Sequence, residues 1–237
     1  MQIQQLRAER ANLQRLTIGS QSSEPLTGAE VTAIQDLWRT AQHHPEKNTI
    51  DRGETIRLIT SGWAGWLRCA EDGRRLIFLF LMPGDYIVPE FSLPDCDLIG
   101  LTPVRTVDAS ALAQIDTTLA PQASATIQQT AARYRHLLLD HLTRLMVGST
   151  TSGVASLLAE FHERSLRSGA CIGGRFSFPI GQRMLASALG RSPVQVNKVI
   201  CKFQADGLIR VGFDWLEVIE PAKLHSLAGI GRGQAAR

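Results

Sequence analysis

The chain has 237 residues, a formal net charge of +3 at pH 7, 44% apolar residues and 20% charged residues. That length allows one large domain or two modest ones, and the composition is ordinary for a globular protein rather than a disordered or fibrous one. No apolar run reaches the ~18 residues of a membrane span, and the charged start MQIQQLRAERANLQRL has no apolar signal-peptide centre. The four cysteines, Cys69, Cys96, Cys171 and Cys201, are too scattered for a disulfide framework or a Cys-x-x-Cys site, so the chain reads as cytoplasmic with reduced thiols.

Residues 1–25 read as a polar N-terminal extension. A helix is expected next, because Thr27 and Glu30 have capping-box spacing and Leu26 and Val31 can staple across the cap. Val31, Ile34, Leu37 and Trp38 then share one face, to about Gln42. From Asn48 to about Ser110 the apolar period drops to two. Turn formers punctuate the runs at Arg52-Gly53, Ser61-Gly62, Asp72-Gly73, Pro83-Gly84 and Pro94-Asp95. The segment WAGWLRCAEDGRRLIFLFLMPGDYIV predicts two strands joined at Asp72-Gly73 and a Pro-Gly corner into a third; Ile99 to Ala109 predicts at least one more. Short strands with a turn every ~8–12 residues point to an antiparallel sandwich or barrel-like roll.

Ala120 to Val147 has no glycine and only Pro121, near its start, where a helix tolerates it. Ile127, Ala131, Tyr134, Leu138, His141 and Leu145 alternate steps of four and three, the spacing of a coiled-coil seam. At ~1.5 Å per residue this predicts a rod of roughly 40 Å, too long for the roll to cover, so a second copy of the chain is the expected partner. His141 breaks the apolar rule, either as a register-setting polar residue or as a pH-sensitive one. The run from Gly148 to Gly153 reads as a hinge. A helix from Val154 to Leu166 should turn Val154, Leu157, Leu158 and Phe161 inward.

Phe178 to Leu208 reads as two short helices and a tight turn. The first, about Ile180 to Ala188, carries Met184, Leu185 and Leu189 on one side and ends at Gly190. The second opens with Ser192 as N-cap, Pro193 at N1 and Gln195 at N3. Val196, Val199, Ile200 and Phe203 make its buried stripe, leaving Val194, Gln195, Asn197, Lys198, Cys201 and Lys202 outward or marginal. A buried stripe opposite an amide- and cation-bearing face is the pattern of a helix-turn-helix. Between Arg175 and Gly212 there are six cations and one anion, a net of +5, which leaves −2 for the rest of the chain. Charge so concentrated is the footprint of phosphate-backbone binding. LIRVGFDWLEVIEP then predicts a hairpin turning near Gly212 to Asp214, a wing, before a Gly-rich basic tail.

In this order the chain resembles the Crp/Fnr family of bacterial transcription regulators. The resemblance rests on SGWAGWLRCAEDGRRLIFLFLMPGDYI, with its DGRR turn and PGD corner, and on FSFPIGQRMLASALGRSPVQVNKVICKFQADGLI. It implies an α+β fold with an N-terminal antiparallel β-roll (cyclic-nucleotide-binding-like), a long dimerisation helix and a C-terminal winged helix-turn-helix. The expected bounds are 1–25 extension, 26–118 β-roll sensor, 119–149 dimerisation helix, 150–229 winged helix-turn-helix and 230–237 flexible tail. The implied partners are double-stranded DNA carrying an inverted repeat, a second copy of the chain and RNA polymerase, with no membrane. Carried over position by position, Val194, Gln195, Asn197 and Lys198 are the base-reading candidates: Val194 for a thymine methyl, Gln195 or Asn197 for adenine, Lys198 for guanine or phosphate. Gln195 has the alternative of serving only its own cap. Arg183, Arg191, Ser192 and Lys202 are the phosphate candidates.

The sensor half departs from the family pattern. Glu90 lacks the preceding glycine of the cyclic-AMP motif, and no arginine follows before Arg105. The first 68 residues hold no cysteine, against an N-terminal iron–sulfur cluster. No metal or cofactor is assigned, though His43, His44, Cys69 and Cys96 leave haem or another small effector open. Cys201, in the second helix, is read as a buried thiol, with redox sensitivity as the alternative. The rival readings are a cupin-like metal enzyme, which the absence of histidine from Asn48 to Ser110 disfavours, and an interaction module that has lost DNA binding. No catalytic residues are expected.

Overall fold

The computed structural model describes residues 36–37, 39–51, 53–110 and 121–229. The N-terminal extension, the capping box at Thr27 and Glu30, the helix residues Val31, Ile34 and Trp38, and the tail at 230–237 lie outside the described residues. Seven short strands come first: β1 (Gln42–His44), β2 (Arg57–Ser61), β3 (Ala64–Cys69), β4 (Arg75–Leu81), β5 (Tyr86–Ile87), β6 (Asp97–Gly100) and β7 (Val104–Asp108). They form two antiparallel sheets, ordered β1-β7-β2-β5 and β4-β3-β6. The hairpin predicted at Asp72-Gly73 is β3–β4, paired from Ala64↔Leu81 to Cys69↔Arg75. The segment after Pro94 makes two strands, β6 and β7. The turn between them presses on the β2–β3 turn, where a Cβ at Gly62 would sit 2.0 Å from the Pro103 carbonyl oxygen.

The expected N-terminal helix stops short of Gln42, which already belongs to β1. His43 and His44 are therefore strand residues, not a helix end. Pairing with β7 decides this, since His44 lies opposite Val104 and its Nε2 is 3.0 Å from the Thr106 hydroxyl.

Helix α1 (Pro121–Val147) closes the roll. Ile127, Tyr134 and Leu137 enter the roll core beside Leu58, Trp66, Tyr86 and Phe91. The Tyr134 hydroxyl donates to the Tyr86 carbonyl at 2.6 Å, and its ring stands edge-on to Phe91 at 5.0 Å. The seam predicted from heptad spacing thus divides. Ile127, Tyr134 and His141 are buried within their own chain, Ala131 and Leu138 are half-buried, and Leu145 is exposed. The free apolar stripe is displaced to Leu139, Leu142 and Met146, which are 61%, 50% and 84% exposed.

The hinge also contracts. Only Gly148 and Ser149 separate α1 from α2 (Thr150–Arg167), because Ser149 caps α2 by accepting the Ser152 N–H at 3.1 Å. After α2 come β8 (Arg175–Ser177), α3 (Gln182–Leu189), α4 (Pro193–Ala205), β9 (Ile209–Val211), β10 (Trp215–Val218) and α5 (Pro221–Ala228). The strands form a small antiparallel sheet, β8-β10-β9. The wing was legible as β9–β10, whereas β8 and α5 were not anticipated. Val154, Leu157, Leu158 and Phe161 of α2 face the core with Leu185, Val196, Ile200, Phe203, Leu216 and Leu224. That core continues onto the roll through Trp63 and Phe80, which meet Phe161 edge-on at 4.9 and 5.3 Å.

Candidate nucleic-acid interface

Local sequence builds both helices of the motif. Gly190 ends α3 in the left-handed region at φ 59°, which a glycine adopts without strain. Only Arg191 and Ser192 separate it from the next helix. The Ser192 hydroxyl accepts the Gln195 N–H at 3.3 Å, and Gln195 Oε1 accepts the Ser192 N–H at 3.1 Å, closing the predicted capping box with Pro193 in the first turn. Val196, Ile200 and Phe203 are buried, so the register of α4 is fixed.

The opposite face carries Val194, Gln195, Asn197, Lys198, Cys201 and Lys202, all exposed. Asn197 Oδ1 accepts the Gln182 side-chain N–H at 2.7 Å from α3 and lies 3.6 Å from Cys201 Sγ. That fixes the amide with its NH2 group donating to no described residue. Gln195 spends its carbonyl oxygen on the cap and keeps its NH2. Cys201 is exposed, not buried as expected, because it follows Lys198 by three residues on the outer face.

The cations divide. Arg183, Lys198 and Lys202 are exposed and form no ion pair among the described residues. Arg175 stacks 3.8 Å over the Trp215 ring and pairs with Glu217 at 3.3 Å; Arg210 reaches the same carboxylate at 3.6 Å. Arg191 is half-buried and donates to the Gly148 carbonyl at 2.9 Å. Ser192 has its hydroxyl in the cap. The net +5 segment therefore presents only part of its charge outward, chiefly along α4 and the start of α3.

Behind this face lies an ionic cluster that sequence reasoning missed. Arg164 of α2 is fully buried and donates to the Asp85 carboxylate at the Pro-Gly-Asp corner, to the Phe80 carbonyl at 2.7 Å and to Glu160 at 2.7 Å. Arg144 of α1 donates to Glu160 and to the Ser156 hydroxyl, the latter at 2.7 Å. Burial alone would raise the Glu160 pKa, but the two guanidiniums hold it below the ordinary carboxylate value. The only hint in sequence was Asp85 inside the PGD corner. In the roll, Glu90 is exposed and Arg105 lies in β7.

Residues 146–227 match the Crp-like helix-turn-helix domain. The transcriptional activatory protein AadR of Rhodopseudomonas palustris is 25% identical over 204 residues, covering 82% of this chain and 84% of AadR. The nitrogen fixation regulation protein FixK of Bradyrhizobium diazoefficiens is 26% identical over 211 residues, covering 86% and 87%. Among solved structures, FixK2 from Bradyrhizobium japonicum superposes with a TM-score of 0.62 at 20% identity, covering 79% of this chain and 96% of that one. A Crp/Fnr-family regulator from Thermus thermophilus gives 0.55 at 18% identity, covering 80% and 98%. The matched domain and the capped, polar-faced α4 within it define a DNA-binding transcription regulator. Over most of its length the chain is similar to Crp/Fnr-type regulators, and residues 146–227 carry the Crp-like helix-turn-helix domain. No helix among the described residues is long and apolar enough to cross a membrane.

Proposed function

We propose that the protein acts in the cytoplasm as a homodimer that reads an inverted-repeat DNA site and regulates transcription through RNA polymerase. The observation that carries this reading is the outer face of α4, where an amide fixed by its neighbour and two exposed cations stand on a rigid, capped helix. In it, Val194 packs on a thymine methyl, Asn197 pairs with adenine, Gln195 adds a donor from its free NH2, and Lys198 reaches a guanine edge or a phosphate. Arg183, Lys202 and the N-terminal end of α4 at Ser192 hold the backbone. Leu139, Leu142 and Met146, with Leu138 and Leu145 beside them, form the dimer stripe along α1. Residues 26–118 serve as the sensor roll, 119–149 as the dimerisation helix and 150–229 as the DNA-binding unit. The naming of AadR as an activatory protein supports action on polymerase.

The test is selection of genomic fragments by the purified protein at near-physiological salt, with an Asn197→Ala/Lys198→Ala variant alongside. Enriched fragments sharing an inverted repeat, lost in the variant, are expected. Weak, sequence-indifferent capture by both proteins refutes the reading.

A further inference from the structure

Arg191, a phosphate candidate in sequence, has an intramolecular partner in the structure. It sits one residue before the N-cap of α4, and its backbone N–H donates to the Ala186 carbonyl at 3.0 Å, so its root is fixed on α3. Its guanidinium is half-buried and donates to the carbonyl of Gly148, the first residue after α1. The Gly148 N–H in turn donates to the Arg144 carbonyl at 3.1 Å, so the acceptor extends the carbonyl end of α1, where a cation is favoured. A Cβ at Gly148 would stand 2.5 Å from that Arg144 oxygen, so this elbow has no room for a side chain. Two contacts flank the bond: a Cβ at Gly190 would stand 3.8 Å from Leu145 of α1, an ordinary packing distance, and one at Gly153 only 3.1 Å from Leu189.

Gly148 and Arg191 are 43 residues apart in the chain. By the covalent route, the end of the dimer helix reaches the start of the recognition helix only through α2, the β8 loop and α3. The Arg191 hydrogen bond bypasses that route. We propose that Arg191 is a positioning residue: it fixes the angle between α1 and α4, and so the distance between the two recognition helices and the half-site spacing the dimer accepts. This rests on the dimeric, inverted-repeat reading above.

The experiment compares wild type, Arg191→Ala, Gly148→Ala and the double variant on synthetic inverted repeats. These carry one half-site sequence and spacers varied by single base pairs, and each is titrated at several salt concentrations. Sedimentation checks that every protein is dimeric. Arg191→Ala is expected to bind the best spacer several-fold more weakly, because losing a bond internal to the protein costs preorganisation rather than a DNA contact. It should keep its half-site preference and salt dependence while its preference among spacers flattens. Gly148→Ala removes no charge and should flatten the spacer preference too, and the double variant should be no worse than Arg191→Ala, because both disturb one contact. A salt slope that drops by roughly two per dimer with spacer preference intact would return Arg191 to phosphate and overturn the proposal. So would Gly148→Ala dimers with unaltered spacer preference. Wild-type protein that favours no spacer would overturn the inverted-repeat reading itself, whatever the variants do.

Discussion

Asn197 is held before any DNA arrives: its Oδ1 takes a hydrogen bond from Gln182, so the amide is oriented by the preceding helix. Loss of Asn197 or Lys198 as alanine is expected to weaken specific binding by ~1–3 kcal/mol each, as measured by titration against the selected repeat and a scrambled duplex. Equal loss on both duplexes would mean that neither residue reads bases. The capping box was legible because Ser192 and Gln195 are three residues apart. The Arg191 and Arg164 contacts were not, because their partners at Gly148 and Asp85 lie 43 and 79 residues away and no local period reports them. His141 shows the same limit. It sits on the predicted seam but is buried beside Phe78, and burial, with Arg144 nearby, pushes its pKa down to about 4. The folded state therefore resists protonating it. Its contribution to stability is complete above its ordinary value and is lost as pH falls from about 6.5 to about 4, by up to roughly 3 kcal/mol. His141→Gln should flatten denaturant midpoints across that window; an unchanged pH slope would show that folding does not shift the His141 pKa.

At the scale of elements, α1 shows what a heptad pattern does and does not determine. The steps of four and three correctly signalled a long helix with apolar faces. They did not signal which face the roll would claim, because Tyr134 and Ile127 fit a roll core as well as a coiled-coil seam. The two faces lie side by side, and the roll takes one of them. Leu139, Leu142 and Met146 stay exposed and, on the proposed reading, form the dimer stripe. Leu142→Glu places a charge in that stripe and should turn the dimer into a monomer at micromolar concentration with its far-UV spectrum intact. Sedimentation decides it, and a variant that stays dimeric would move the interface elsewhere. Thr150 to Gly153 illustrates the opposite error. Read as hinge from their glycine and hydroxyls, they are the first turn of α2, because Ser149 caps it. Hydroxyl residues before an apolar helix favour its N-cap, because their side chains bond its first N–H groups.

Across the whole molecule, the DNA-binding unit does not hang from the roll by a flexible tether. Apolar contact through Trp63, Phe80 and Phe161 joins the two, and α3 adds a hydrogen bond from Ser187 to the Arg75 carbonyl of β4. The buried chain Asp85–Arg164–Glu160–Arg144 crosses the same junction. Removing one partner of such a cluster strands a buried charge. Asp85→Ala should therefore cost about 3 kcal/mol in global unfolding and uncouple the roll from the DNA-binding unit in hydrogen exchange. A stable, still-coupled variant would show that the apolar contact alone joins them. The strand-rich half, the rod, the helix-turn-helix and the wing were legible from period and punctuation. The docking of the halves was not, because both its apolar contacts and its charge pairs join residues far apart in the chain.

On the proposed reading, two α4 helices enter successive major grooves of one inverted repeat. Hydroxyl-radical footprinting of the purified protein on a selected repeat tests it most directly. Two protected zones are expected on one face of the duplex, centred about one helical turn, ~34 Å, apart, and both lost with Asn197→Ala/Lys198→Ala. A single protected zone, or protection that survives in the variant, would contradict it.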